Sequence, residues 1–139
     1  MSTLNNKETM NRFLDFINTA DEQLASQLIS PDAVFHVPGR PEPMQGPKGY
    51  LSIIAMMRSG FPDIQWELEQ LIIEGDHAAA RFIMRGTHLG VFFNVPPTGK
   101  SIQVSAINIY HILNGQIIEE YGQPDLMGLL GQIGALPAQ

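Results

Sequence analysis

Apolar residues recur at helical spacing at both ends of this chain and at strand spacing between them. Met10, Phe13, Leu14 and Ile17 fall at i, i+3, i+4 and i+7, which makes one apolar stripe. Asn5, with Glu8 three residues later, has the form of a capping box ahead of that stripe. Asn18, Thr19 and Ala20 interrupt it. Thr19 and Glu22 offer a second capping box for a short helix burying Leu24 and Leu28, which Ser30 and Pro31 stop. Ala33 to Val37 is short and β-prone, and the loop Pro38 to Gly46 holds three prolines and two glycines. Pro47 suits the first turn of a third helix, running to about Ser59 and ending at Gly60.

From Ile64 the period becomes two. Trp66, Leu68 and Ile72 alternate with Glu67, Glu69 and Ile73, and Glu74-Gly75-Asp76 supplies a turn into a returning strand from Ala78 to Thr87. A Gly/Pro-rich loop, His88 to Lys100, leads to a long strand from Ile102 to Leu113. Asn114-Gly115 is a strong two-residue hairpin signal, and Ile117 to Tyr121 pairs back. Leu126, Leu129, Leu130 and Ile133 then share one face of a last helix. Helices followed by hairpin-linked strands predict an α+β fold with an antiparallel sheet, and a strongly bent sheet with helices on its concave face would bury both. A length of 139 residues fits a single domain, 1–139.

Composition narrows the class. A hydrophobic content of 44% with 16% charged residues belongs to a soluble globular protein. A net charge of -6, with eight scattered Lys and Arg, argues against a nucleic-acid partner. No run of about 18 apolar residues is available to span a membrane, and Met1 to Asn11 is polar, without the apolar core of a secretory signal. With no cysteine there is no disulfide framework, thiolate nucleophile or Cys-based zinc site, so a cytoplasmic location is the expectation.

Several stretches occur in order: Pro31-Asp32-Ala33-Val34-Phe35-His36, Phe61-Pro62-Asp63, Arg85-Gly86-Thr87-His88-Leu89-Gly90 and Pro96-Pro97-Thr98-Gly99-Lys100. The last are Asn114 to Tyr121, then Asp125 and Leu129 to Gly134. As an ordered set they resemble the SnoaL-like polyketide cyclases of the wider nuclear-transport-factor-2-like fold. The resemblance implies a cone-shaped α+β barrel. It also implies intramolecular aldol ring closure on a polyketide-like or cyclic carbonyl compound, without metal or organic cofactor. It assigns the acid/base aspartate to Asp125 and a pocket histidine to His111. Two positions depart from the family pattern: Tyr121 stands where Trp is usual, and Gly122 stands where an acidic residue is frequent.

The residues themselves leave alternatives open. Aldol closure needs a base for an α-proton and donors for the enolate oxygen, and a carboxylate in an apolar site can be that base. Asp125 also sits directly before an apolar helical stripe, where Asp caps an N-terminus and its pKa falls. His111 faces the cavity if Ile107 and Ile109 do, and His36 could cover the same site from beside the Pro-rich rim. His88 reads as a loop anchor. Arg81 and Arg85 share one strand face, either to bind an anionic group or to pair with Glu67 or Glu69 across the sheet. Asp63 makes a turn or joins the pocket. Tyr121, Trp66 and Phe92 complete the candidate substrate-binding set with His36, Arg85 and Asp63, and Phe92-Phe93 read as a lid over a site or a subunit interface. The histidines lack the spacing of a metal motif. Three functions compete: a cofactor-free cyclase or isomerase, an epoxide hydrolase with Arg81 or Arg85 beside Asp63 or Asp125, and a non-catalytic hydrophobic-ligand or dimerisation module. The exposed sheet face, including residues 101–113, is the expected surface for a homodimer.

Overall fold

The computed structural model describes residues 3–136, so both ends of the expected 1–139 domain lie outside the described residues. Helices α1 (Thr3–Thr19) and α2 (Glu22–Leu28) come first, then strands β1 (Ile29–His36) and β2 (Met44–Gln45), then helix α3 (Gly46–Gly60). Strands β3 (Gln65–Glu74), β4 (His77–Thr87), β5 (Ser101–Leu113) and β6 (Gln116–Pro124) follow, and α4 (Leu126–Gln132) comes last. The strands form one sheet in the order β2-β1-β6-β5-β4-β3. This is the expected α+β class, with one difference in pairing. The hairpins β3–β4, β4–β5 and β5–β6 are antiparallel, but β1 pairs with β6 in parallel, because one helix and four strands separate their sequences and bring β1 to the far edge of the meander.

The helices cover the concave face. Met10, Phe13, Phe16 and Ile17 of α1 pack with Ala78, Ala80, Phe82, Tyr110 and Ile112 of the sheet. A second apolar cluster, around Phe61, Met84, Val104, Leu129 and Ile133, closes the other end under α4. The alanines of β4 leave room for the α1 rings to approach the sheet. Asn18 ties this helix to the sheet directly: its Oδ1 accepts from Trp66 N at 2.8 Å and its Nδ2 donates to Trp66 O at 3.0 Å.

Local signals were met in part. Helix α1 begins at Thr3, ahead of the Asn5–Glu8 box. Asp21, not Thr19, caps α2, accepting from Gln23 N and Leu24 N, and the helix buries Ala25 with Leu28. Asn114 and Gly115 both have positive φ, 53° and 75°, as a type I′ hairpin requires.

Two β-bulges decide which side chains face inward. In β3 the register shifts between Leu68 and Gln70. Trp66 and Leu68 therefore point to the core, as do Leu71 and Ile73, while Ile72 is thrown outward. In β6, Ile112 pairs with Ile117 but His111 pairs with Glu119, so Ile118 is the extra residue. The alternation restarts after it, and Ile117, Glu120 and Gly122 all turn inward.

Candidate active site

Between the concave face and the helices lies a cavity of about 300 Å³. Its wall is mainly apolar, with Ile54, Met57, Trp66, Phe82 and Met84 among its side chains. Among the described residues, Glu120 and Arg40 are the charged side chains on that wall. Arg40 stands on the exposed loop after β1, whereas Glu120 is 3% exposed at the floor.

Glu120 is held by the two tyrosines that face it. Tyr50 Oη donates to Glu120 Oε2 at 2.9 Å, and Tyr110 also bonds the carboxyl group. Asn108 Nδ2 donates to Tyr110 Oη at 3.1 Å, and Asn108 Oδ1 accepts from Gln123 N at 3.0 Å, which sets the amide's orientation. Burial raises the Glu120 pKa to about 7, against the lowering effect of the Tyr110 and Tyr50 hydrogen bonds. The same burial and the adjacent carboxyl push both tyrosines well above their ordinary value. The floor thus holds one carboxyl group able to take and return a proton near neutrality, beside two phenols that stay protonated.

Gly122 lies one pleat along β6 on the same face and also lines the cavity. A Cβ there would sit 3.4 Å from Glu120 Oε1 and 3.7 Å from Asn108 Oδ1, which is ordinary contact. A side chain at 122 would therefore enter the space that the Glu120 carboxyl group faces.

The residues selected from sequence are distributed otherwise. Of Asp125, His111, His36, Tyr121, Arg85, Asp63, Phe92 and Trp66, Trp66 alone reaches the cavity wall. Asp125 is exposed and caps α4, its Oδ1 accepting from Gly128 N at 2.8 Å. His111 follows Ile107 and Ile109, but all three point to the outer face because Asn108 and Tyr110 point in. There His111 stacks on His77 with centroids 4.4 Å apart. His36 is on the same outer face, stacked on exposed Tyr121 at 4.3 Å and paired with Glu119 at 3.0 Å.

Arg85 forms an ion pair with Glu67 and donates to Gln103, the cross-strand reading, while Arg81 donates to Gln70 rather than to a glutamate. Asp63 accepts from Thr87 N and Thr87 Oγ1, both at 2.7 Å, and these bonds lower its pKa. Phe92 is 2% exposed, packed edge-on against Phe61, and so is an anchor; the neighbouring Phe93 lines the cavity instead. Met56, Met57 and Met84 also line it, as their flexible side chains suit. Glu120 escaped the sequence reading because simple alternation from Ile117 places it outside, and no residue announces the bulge at Ile118 that turns it inward.

Among the described residues no helix is long and apolar enough to cross a membrane, and no group of three or more His, Asp or Glu is placed to hold a metal ion. The fold matches that of TsrD from Streptomyces laurentii, with a TM-score of 0.85 and 27% identity over 98% of this chain and 99% of that one. It also matches IdmH from Streptomyces antibioticus, with a TM-score of 0.83 and 30% identity over 92% and 97%. In sequence the chain is 27% identical to the aklanonic acid methyl ester cyclase AcmA of Streptomyces galilaeus, over 88% of this chain and 86% of that protein. It is 29% identical to the nogalonic acid methyl ester cyclase of Streptomyces nogalater, over 64% and 67%. Residues 7–133 match the family pattern of the SnoaL-like polyketide cyclases, spanning both sides of the cavity, and the chain belongs to that family.

Proposed function

We propose that this chain is a cofactor-free cyclase that closes a ring by intramolecular aldol addition in a small, polyketide-like carbonyl compound, with Glu120 as the acid/base. The observation that carries this reading is a single buried carboxyl group, with its pKa raised to about 7, on the floor of an apolar cavity. The Glu120 carboxylate removes a proton α to a carbonyl. The enolate carbon then attacks the second carbonyl of the same molecule, one C–C bond forms, and the new alkoxide takes the proton back from Glu120. Nothing is lost, so the product is an isomer of the substrate. The Tyr50 and Tyr110 hydroxyls, held protonated, and the Asn108 amide are the donors available for the enolate or alkoxide oxygen. In this reading Asp125 holds the start of α4 beside the wall residues Pro124 and Leu126, and His111 has no part in the chemistry.

The hydrolase alternative asks for Arg81 or Arg85 beside Asp63 or Asp125 in the cavity; none of the four lines it, and Arg81 and Arg85 are both engaged on the outer face. The outer face supports a second element of the proposal, a homodimer. Ile107 and Ile109 of β5 are 54% and 49% exposed; Ile109 is flanked by exposed Tyr121 on β6 and by Ala79 on β4, beyond which lies exposed Ile72 on β3, so an apolar stripe crosses four strands.

The test is conversion of aklanonic acid methyl ester and nogalonic acid methyl ester, the compounds after which the two relatives are named. Ring closure is followed by chromatography for the wild type and Glu120→Gln. Turnover that falls by about 10²–10⁴-fold in the variant supports the assignment. An equally active Glu120→Gln enzyme removes Glu120 from the chemistry. No conversion by the wild type, with ligand still bound, makes the chain a binding module.

A further inference from the structure

Phe93 occupies a position that neither local propensity nor core packing explains. Phe92 and Val95 form an isolated bridge, with Val95 N donating to Phe92 O at 2.8 Å and Phe92 N to Val95 O at 3.1 Å. The two residues between them, Phe93 and Asn94, have φ of 44° and 63°. That is the type I′ signature, which Asn-Gly meets without strain and which a bulky L-residue meets only against its backbone preference. The strain is not offset by burial, since the Phe93 side chain remains 49% exposed. It lines the cavity where the cavity meets solvent.

The segment carrying Phe93 is tied down at every side. Leu89 N and Gly90 N both donate to Gly60 O at 3.1 Å, at the end of α3. A Cβ at Gly90 would lie 1.8 Å from Ser59 O, so only glycine allows this approach. Phe92 inserts beside Phe61 as an anchor. His88, fully buried, accepts from Thr98 N at Nδ1, while His88 N bonds Lys100 O and Gly99 N bonds His88 O. A segment latched in this way acts as a wall, not as a moving lid.

Five aromatic rings line the cavity. Tyr50, Phe82 and Tyr110 are buried, Trp66 is half-buried, and Phe93 is the one open to solvent. The side chains of Met56 and Arg40, also on exposed parts of the wall, are flexible. We propose that Phe93 is a specificity-determining residue of the cavity, a fixed aromatic wall that favours ligands presenting a flat π face over flexible aliphatic ligands. The inference rests on the reading of the cavity as the substrate site, but not on the aldol chemistry. Offset-stacked and edge-to-face ring pairs contribute beyond their buried area, and a flexible chain gains nothing from a ring that it meets through CH₂ groups alone.

The experiment is a binding titration of the full chain with 1,8-dihydroxyanthraquinone as the flat probe and decanoate as the flexible one, for wild type, Phe93→Leu and Phe93→Tyr. Leucine keeps the apolar volume and removes the flat face; tyrosine keeps both. The expected result is about tenfold weaker anthraquinone binding in Phe93→Leu, decanoate binding changed by less than about twofold, and recovery in Phe93→Tyr. Unchanged anthraquinone affinity in Phe93→Leu overturns the proposal, as does an equal loss for both probes or a wild type that binds no anthraquinone. Binding is read without turnover, so an inactive protein that shows this selectivity sinks the cyclase reading and leaves the role of Phe93 standing. Thermal unfolding of the variants checks that the fold is kept.

Discussion

Tyr50 and Glu120, 70 residues apart in sequence, meet across the cavity floor, the phenol donating to the carboxyl group at 2.9 Å. The tyrosine ring is set from three sides, by Phe35 at 4.7 Å, Phe13 at 5.2 Å and Phe16 at 5.8 Å between centroids. Its hydroxyl is therefore held at the cavity floor, facing the Glu120 carboxyl group. Strand β6 brings the carboxyl group to that point, and the core around it supplies the burial that raises its pKa. One contact joins the packing of α3 to the titration of the site.

Removing that donor tests the coupling. In Tyr50→Phe the rings still pack, but the carboxylate loses a hydrogen bond that stabilises its charged form. The Glu120 pKa is expected to climb further, by on the order of one pH unit, since a hydrogen bond to a charged group is worth about 1.5–3 kcal/mol. Carboxyl titration by NMR reads the change; a pKa that stays or falls would show that Tyr50 does not support the charge.

The raised pKa also sets a pH dependence of stability. A carboxyl group whose folded pKa is about 7, against an ordinary 4.5, binds its proton more tightly in the folded state. Its contribution is fully present below pH 4.5 and is lost as pH rises through about 7. At about 1.4 kcal/mol per pH unit the loss is roughly 3 kcal/mol. Denaturant unfolding at pH 5 and pH 8 should show wild type losing more stability than Glu120→Gln, and parallel losses in the two proteins would contradict the assignment.

Gly122→Asp places a second carboxyl group in the space beside Glu120, where the family often carries an acid. Two carboxyl groups in one buried site do not ionise independently, so the titration is expected to split into two steps, one above and one below the wild-type midpoint. A single unshifted step would mean that the new side chain turns away from the cavity.

Asp125 is separated from the chemistry by its own substitutions. Asp125→Ala removes the cap of α4 and should cost about 1 kcal/mol of stability, while Asp125→Asn, which keeps an acceptor, should cost less. Turnover of Asp125→Asn is expected to match wild type within about twofold, whereas a loss comparable to the 10²–10⁴-fold of a missing acid/base would return that role to Asp125.

The outer face is tested by charge. Ile109→Glu puts a carboxylate in the middle of the exposed apolar stripe, and sedimentation should find a dimer for the wild type and a monomer for the variant, with the cavity unaltered. A monomeric wild type removes the homodimer from the proposal.

Much of this protein was legible in the order of its residues. The stripe from Met10 to Ile17, the alternation through β4 and β5, the Asn114-Gly115 turn and the apolar face of α4 each arise from local periodicity and turn chemistry, and together they dictate an α+β fold with a curved sheet. The ordered motifs from Pro31 to Gly134 placed it in its family. What local pattern could not supply was the parity of the strands. Alternation states that neighbours face opposite ways, but not which of them faces in, so His111 and Tyr110 were equal candidates until α1 and α3 covered one side. A bulge changes parity without a residue that announces it. Ile118 slips out of register and turns Glu120 inward beside Gly122, and the shift between Leu68 and Gln70 turns Ile72 outward. The acid at the floor of the cavity is thus a product of tertiary structure, because only the assembled sheet decides where one extra residue is absorbed.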